Sequence, residues 1–256
     1  MKLRDKVIVI TGAAAGIGAA LARRFAKEGP KGIAVADLAS NMSALEAVAR
    51  DINGIAAACD VSKEADIKAL VAAAEAKWGQ VDVFFSNAGI GRGGHENASD
   101  VDWDASWRIH VLSHVFAARA VLPGMLARGE GYLVNTASAA GLLASMGSAP
   151  YGVTKHAAVA LAEHFAIQYG DRGVRVSCLC PQAVDTALFR NSKDSAAAVD
   201  GIATPEAVAD EVVRAMDAEE FLILSHKDVR EYMVRKATSI DRWLGGMRRL
   251  RAKMKG

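Results

Sequence analysis

Cysteine is scarce in this 256-residue chain, at three: Cys59, Cys178 and Cys180. An odd number with no zinc-type spacing excludes a disulfide-stapled scaffold and a structural zinc site, and it fits a reducing, cytoplasmic compartment. Proline is also rare, at 5, and the 23 glycines follow no repeat, which excludes collagen-like and Pro-rich disordered classes. Aromatic residues make up 6%, so Ala, Val, Leu and Ile must fill the core. A net charge of +2 gives no general pull toward nucleic acid or an anionic membrane. No run long enough to span a bilayer is free of charge and glycine, so no membrane span is expected. Lys2, Arg4 and Lys6 ahead of the apolar residues 7–22 give the outline of an export signal. That reading fails because Thr11, Gly12, Gly16 and Gly18 interrupt the stretch, and VIVI is short and β-branched, as a buried strand would be.

What is present is an ordinary globular composition, 52% apolar and 23% charged, sufficient for one domain over residues 1–256. Short apolar runs recur at 6–10, 32–37, 55–61, 81–87, 131–138, 174–180 and 221–225. Segments with helical spacing separate them, at 17–28, 41–51, 63–78, 102–128, 151–170 and 205–217. Strands alternating with helices predict an α/β fold: a single doubly wound, Rossmann-type domain whose seven-stranded, mostly parallel sheet is covered on both faces. Residues 186–204 break the periodicity and read as a mobile loop beside the substrate.

The first strand-to-helix turn, TGAAAGIG (11–18), carries Gly12, Gly16 and Gly18 with Ile17 between the last two. Such glycines permit a tight turn and a close approach of backbone to ligand, and the helix start offers free N–H groups to a pyrophosphate. Asp37, nineteen residues after Gly18 at the end of the second strand, is placed to accept both ribose hydroxyls of an adenosine. Its carboxylate would repel a 2′-phosphate, and neither Ala15 nor the following Leu38 supplies a cation, so NAD is expected over NADP. Asp60 and Val61 end the third strand, and Asn87, Ala88 and Gly89 of SNAG end the fourth; in a doubly wound sheet both ends face the cofactor crevice.

A second group of residues suggests proton transfer. Ser138 ends the fifth strand, and Tyr151 and Lys155 follow as YGVTK at a helix start. An i, i+4 pair shares one helix face, and a neighbouring ammonium favours the phenolate that a general acid/base must reach. The spacing alone is not specific: YMVRK repeats it at Tyr232 and Lys236, with Glu219 where the first copy has its serine. That second copy reads as the solvated face of a C-terminal helix.

Taken in order, TGAAAGIG, Asp37, SNAG, Ser138 and YGVTK resemble the short-chain dehydrogenase/reductase family over about residues 5–225. The resemblance implies reversible hydride transfer between NAD(P) and an alcohol or carbonyl. It implies that Ser138 polarises the substrate oxygen, Tyr151 exchanges its proton, and Lys155 lowers the Tyr pKa and holds the nicotinamide ribose. It also places Pro181, Val184 and Thr186 of CPQAVDT near the carboxamide, and it implies a homodimer or homotetramer built through the helices at 102–128 and 151–170. Three positions depart from the family pattern. Ser86 replaces an Asn, and Gln182 replaces a Gly and is expected to reach the substrate. His110 stands where the family has a fourth catalytic Asn, and a titratable imidazole there is expected to preserve the proton relay in altered form.

The predicted pocket, formed by 91–95, the residues after Ser138, Gln182, Leu188 and Phe189, is mostly small or apolar, which points to an uncharged, hydrophobic secondary alcohol or ketone. One cation, Arg92, could still meet a carboxylate. His95, His114, His156 and His164 form no metal pattern, so no metal is expected. Residues 227–256 hold 10 Lys/Arg against 3 Asp/Glu. Trp243, Leu244, Met247 and Leu250 suit a basic helical extension packed on the body or on a neighbouring subunit, rather than one binding nucleic acid or membrane. An NAD-binding regulator or scaffold without turnover is the alternative function.

Overall fold

In the computed structural model, which describes residues 1–191 and 195–254, seven parallel strands form one sheet. The elements run β1 (Val7–Thr11), α1 (Gly16–Ala26), β2 (Gly32–Asp37), α2 (Met42–Asp51), β3 (Ile55–Ala58), α3 (Glu64–Trp78) and β4 (Val83–Ser86). They continue with α4 (Asp100–Trp107), α5 (Ser113–Arg128), β5 (Gly131–Thr136), α6 (Ala149–Tyr169), β6 (Val174–Leu179), α7 (Ala187–Arg190), α8 (Pro205–Asp217), β7 (Leu222–Ile223), α9 (Asp228–Thr238) and α10 (Ile240–Met254). The strand order is β3-β2-β1-β4-β5-β6-β7. After β3 the chain crosses back past β1, and the sheet there pairs Val9 with Phe84. That reversal opens a crevice at the carboxyl ends of β1 and β4.

Both faces of the sheet are buried, which is why its strands read as continuous apolar runs rather than alternating ones. One layer packs Ile8, Ile10, Val35 and Tyr132 against α1, α2 and α8; the other packs Val9, Phe84, Leu133 and Val176 against α3, α5 and α6. Phe25, Tyr132, Phe84 and Phe85 are among the largest fully buried side chains. The remaining volume is aliphatic, as the low aromatic content requires.

The predicted helix at 102–128 is interrupted. Residues Arg108–Leu112 widen into a π turn between α4 and α5, where the Ser113 hydroxyl donates to the Ile109 carbonyl at 2.6 Å. Single π turns inside α-helices concentrate at functional sites, and this one carries His110. The whole stretch Asp100–Arg128 is long and apolar enough to cross a bilayer by composition. Here it lies against the sheet and α3, with Phe116, Val121 and Met125 buried. The segment read as a loop, 186–204, carries two helical turns, α7 and a 3₁₀ turn at Ser195–Ala198, and its residues 192–194 lie outside the described residues.

Candidate active site

The glycine turn is the tightest part of the crevice. Gly12 has φ +66°, and a Cβ there would lie 2.7 Å from the Ala88 Cα. A Cβ on Gly18 would lie 2.2 Å from the Gly12 carbonyl oxygen. Neither position accepts a side chain, because both neighbours are backbone. Helix α1 opens onto the cavity with no side-chain cap on Ala15 and no acidic residue in its first turn. Its amide groups and positive dipole end are therefore available to a phosphate.

Asn87 ties the two central strands together. Its Nδ2 donates to the carbonyls of Thr11 and Gly12 at 3.1 and 3.3 Å, and its Oδ1 accepts from the Thr136 hydroxyl at 3.3 Å. The Thr11 hydroxyl in turn accepts from the amides of Asn87 and Ala88 at 3.0 and 3.2 Å. Asp37 is held from three sides: Ala14 N–H reaches Oδ2 at 3.0 Å, while Leu38 N–H and Asn41 Nδ2 reach Oδ1 at 2.8 and 2.7 Å. Asp60 accepts from the Ser62 amide and hydroxyl at 3.1 and 2.7 Å. Burial raises its pKa, but these bonds and Lys63 outweigh burial and hold it below the usual carboxylate range. The crevice thus carries two hydrogen-bonded carboxylates, at the ends of β2 and β3.

Tyr151, Lys155 and Ser138 meet at the other end of the crevice. Pro150 and the Ser148 cap start α6, the Ser148 hydroxyl accepting from Tyr151 N–H at 3.1 Å. One turn on, the Lys155 ammonium lies 5.8 Å from the Tyr151 ring centroid and donates to the Thr136 carbonyl at 2.9 Å. Lys155 is 3% exposed, and burial pulls its pKa down to about 8. The Ser138 hydroxyl accepts from Ala140 N–H at 3.1 Å, while its own donation to the Pro181 carbonyl, at 3.4 Å, is long. Its hydrogen is therefore only lightly held and free to turn to a carbonyl oxygen in the cavity.

His110 lies behind this group and does not line the cavity. Ile90 N–H donates to its Nε2 at 3.1 Å, so Nε2 is unprotonated; Nδ1–H donates to the Thr154 hydroxyl at 2.8 Å, which donates to the Pro150 carbonyl at 2.7 Å. The imidazole meets Tyr151 edge-on at 5.4 Å. Complete burial, then the Lys155 charge and His114, hold its pKa well below the ordinary value. Both ring nitrogens are thus engaged on a neutral ring, a different arrangement from the titrating relay that the sequence suggested.

One cavity of about 1700 Å³ joins these parts, larger than the ~300–1,000 Å³ that an ordinary small ligand fills. The cofactor and substrate residues named from the sequence line it, from Gly12 and Ile17 through Val61, Gly89, Val184 and Thr186 to Gln182 and Leu188; of the predicted stretch 91–95, only His95 does not. Gln182 is pinned, its Nε2 donating to Asp200 at 3.0 Å. The larger correction concerns the C-terminal segment. Tyr232 and Lys236 are not a solvated face: Tyr232 donates to Asp200 at 2.8 Å, and Lys236 donates to the carbonyls of Leu142 and Leu143 at 2.8 and 2.7 Å. These bonds set α9 and α10 over the cavity, so that Trp243, Met247 and Leu250 line it, while Leu244 stays 48% exposed. The apolar stripe was visible in the sequence; the surface it covers was not. No cluster of metal-ligating side chains occurs among the described residues.

Comparison with known proteins agrees with this geometry. The family profile for short chain dehydrogenases matches residues 6–197. The chain is 38% identical to 2-(S)-hydroxypropyl-CoM dehydrogenase 3 of Xanthobacter autotrophicus, covering 72% of this chain and 73% of that one. It is 33% identical to 1-deoxy-11-beta-hydroxypentalenate dehydrogenase of Streptomyces exfoliatus, covering 90% and 86%. Among solved structures, a short chain dehydrogenase/reductase from Burkholderia phymatum in complex with NAD superposes with TM-score 0.83 at 30% identity, over 94% and 96% of the two chains. L-sorbose reductase of Gluconobacter frateurii, complexed with NADPH, gives 0.76 at 26% identity, over 88% and 97%.

Proposed function

Because this chain belongs to the short-chain dehydrogenase/reductase family, we propose that it is an NAD-dependent oxidoreductase of secondary alcohols or ketones with an apolar body. The observation that carries the reading is the convergence of Ser138, Tyr151 and a buried Lys155 on the cavity that also holds the glycine turn and Asp37. A regulator that only bound the cofactor would have no need of the cost of burying that ammonium. The crevice fits a dinucleotide: a glycine turn folded so tightly that a Cβ on Gly18 would strike the Gly12 carbonyl, an uncapped helix start, and a carboxylate at the adenosine end. NAD, when bound, supplies the acceptor or donor of the hydride. The protein's part is to hold the alcohol oxygen on Ser138, to move its proton through Tyr151, and to keep a cation beside the phenol with Lys155. His110 positions rather than transfers, fixing the loop at Ile90 and the turn that presents Tyr151.

Asp37 favours NAD, since its oxygens already draw three donors and leave a carboxylate where a 2′-phosphate would stand. The exposed Val153 and Ile167 on α6, with Val101 and Trp107 on α4, support the homo-oligomer that such proteins form. A cytoplasmic location agrees with three free thiols.

The test is NADH formation from NAD against a panel of secondary alcohols, with NADP run alongside. We expect kcat/KM to favour NAD by more than about tenfold, and Asp37→Ser to erase most of that preference. No turnover with any alcohol or ketone despite NADH binding would favour the non-catalytic alternative. His110→Ala should lower kcat/KM yet leave the pH profile unchanged across the ordinary imidazole range near pH 6.5, because burial and the Lys155 charge hold the wild-type ring neutral there. Loss of an inflection in that window would restore the relay.

A further inference from the structure

The cavity is electrically divided. Its carboxylates, Asp37 and Asp60, lie at the adenosine end, and no other acidic residue lines it among the described residues. Around the reacting end stand Arg92, Arg235, Arg242 and Arg249. Two of these already have partners: Arg92 faces Asp102 at 3.3 Å and Arg235 faces Glu231 at 2.5 Å. The nearby Asp200 is engaged by Gln182 and Tyr232. Arg242 and Arg249 make no ion pair with any described residue, although arginines elsewhere on the surface, such as Arg24, Arg175 and Arg214, are paired.

Their placement on α10 is regular. Seven residues apart, they lie two turns from each other on one face, about 10 Å along the helix. Trp243 and Met247 lie between them on the cavity wall. The Arg249 guanidinium folds back along α10 over Gly245 and Gly246: Nη1 lies 3.6 Å from where a Gly245 Cβ would stand, and Nη2 3.9 Å from that of Gly246, both ordinary contact distances.

We propose that Arg242 and Arg249 form a subsite for the anionic head of an amphipathic substrate, a carboxylate-type monoanion. The apolar body of that substrate would run along Leu143, Met146, Leu188 and Met247 to Tyr151. The proposal rests on the reading above that the cavity holds the substrate beside Tyr151, and it replaces the uncharged substrate suggested by the sequence. A guanidinium fork suits a carboxylate, and two forks on a rim partly shielded by Trp243 give selectivity that one solvated charge does not.

Calorimetric titration of octanoate and octanamide into the NADH-loaded protein tests it, because the two probes share a chain length and differ in charge. We expect octanoate to bind more tightly by about tenfold, with the difference shrinking as salt is raised. Arg242→Gln/Arg249→Gln should bind the two probes about equally, whereas Arg251→Gln, an exposed α10 position off the cavity, should keep the preference. Equal binding by the wild type, no detectable octanoate binding, or a preference that survives in the double variant overturns the proposal. The readout needs no turnover, so an octanoate-selective protein that oxidises no alcohol would fail the enzymatic reading and still show the anion subsite at Arg242 and Arg249.

Discussion

Tyr151→Phe is expected to lower kcat for alcohol oxidation by about a thousandfold, the middle of the range for losing a positioned general acid/base. The substitution deletes one oxygen and keeps the ring, so the edge-on contact with His110 and the cap from Ser148 are retained. NADH affinity, measured by fluorescence titration, should stay within about twofold, because the glycine turn and Asp37 are untouched. A variant that turns over at the wild-type rate would remove Tyr151 from the chemistry. One that loses NADH binding would show that the phenol serves the cofactor rather than the proton.

Lys155→Met should abolish turnover and also stabilise the fold. The ammonium is buried, and its pKa falls from 10.5 to about 8. The folded state therefore holds its proton less tightly than the unfolded chain does. The resulting penalty is full below about pH 8 and fades as pH rises toward 10.5. That drop corresponds to about 3 kcal/mol at neutral pH, offset by about 2 kcal/mol for the charged hydrogen bond lost to the Thr136 carbonyl. Thermal unfolding at pH 7 should show the variant a few degrees more stable, with the gap closing by about pH 10. A variant less stable than wild type at pH 7 would mean that the ammonium contributes more through its contacts than it loses by burial. Such a trade of stability for chemistry is common at catalytic sites.

The alternation of strand and helix was legible because each parallel strand is buried on both faces and leaves a short apolar run bounded by polar turns. The glycine turn, Asp37 and the Ser138–Tyr151–Lys155 group were legible for a similar reason, since their spacings are local or anchored to strand ends. What could not be read depended on distant contacts. Nothing local announces the π turn at Arg108–Leu112, which arises where His110 is drawn to Thr154 and Ile90. Residues 232–236 looked like a solvated helix face because the partners of Lys236, the Leu142 and Leu143 carbonyls, are backbone atoms more than ninety residues upstream. A residue pattern carries no trace of an acceptor that every amino acid possesses.

The central seam of the sheet has a consequence for how the chain acquires its crevice. Strand β4 joins β1 across some seventy residues, and Asn87 then closes on Thr11 and Gly12. Both walls of the crevice belong to segments that β2 and β3 must first carry outward and back. Closing so long a loop is slow compared with forming any of the helices. The nucleotide cleft therefore cannot be complete until β4 has paired with β1. A nascent chain released before β4 holds every glycine of the fingerprint and still has no second wall against which to press a dinucleotide.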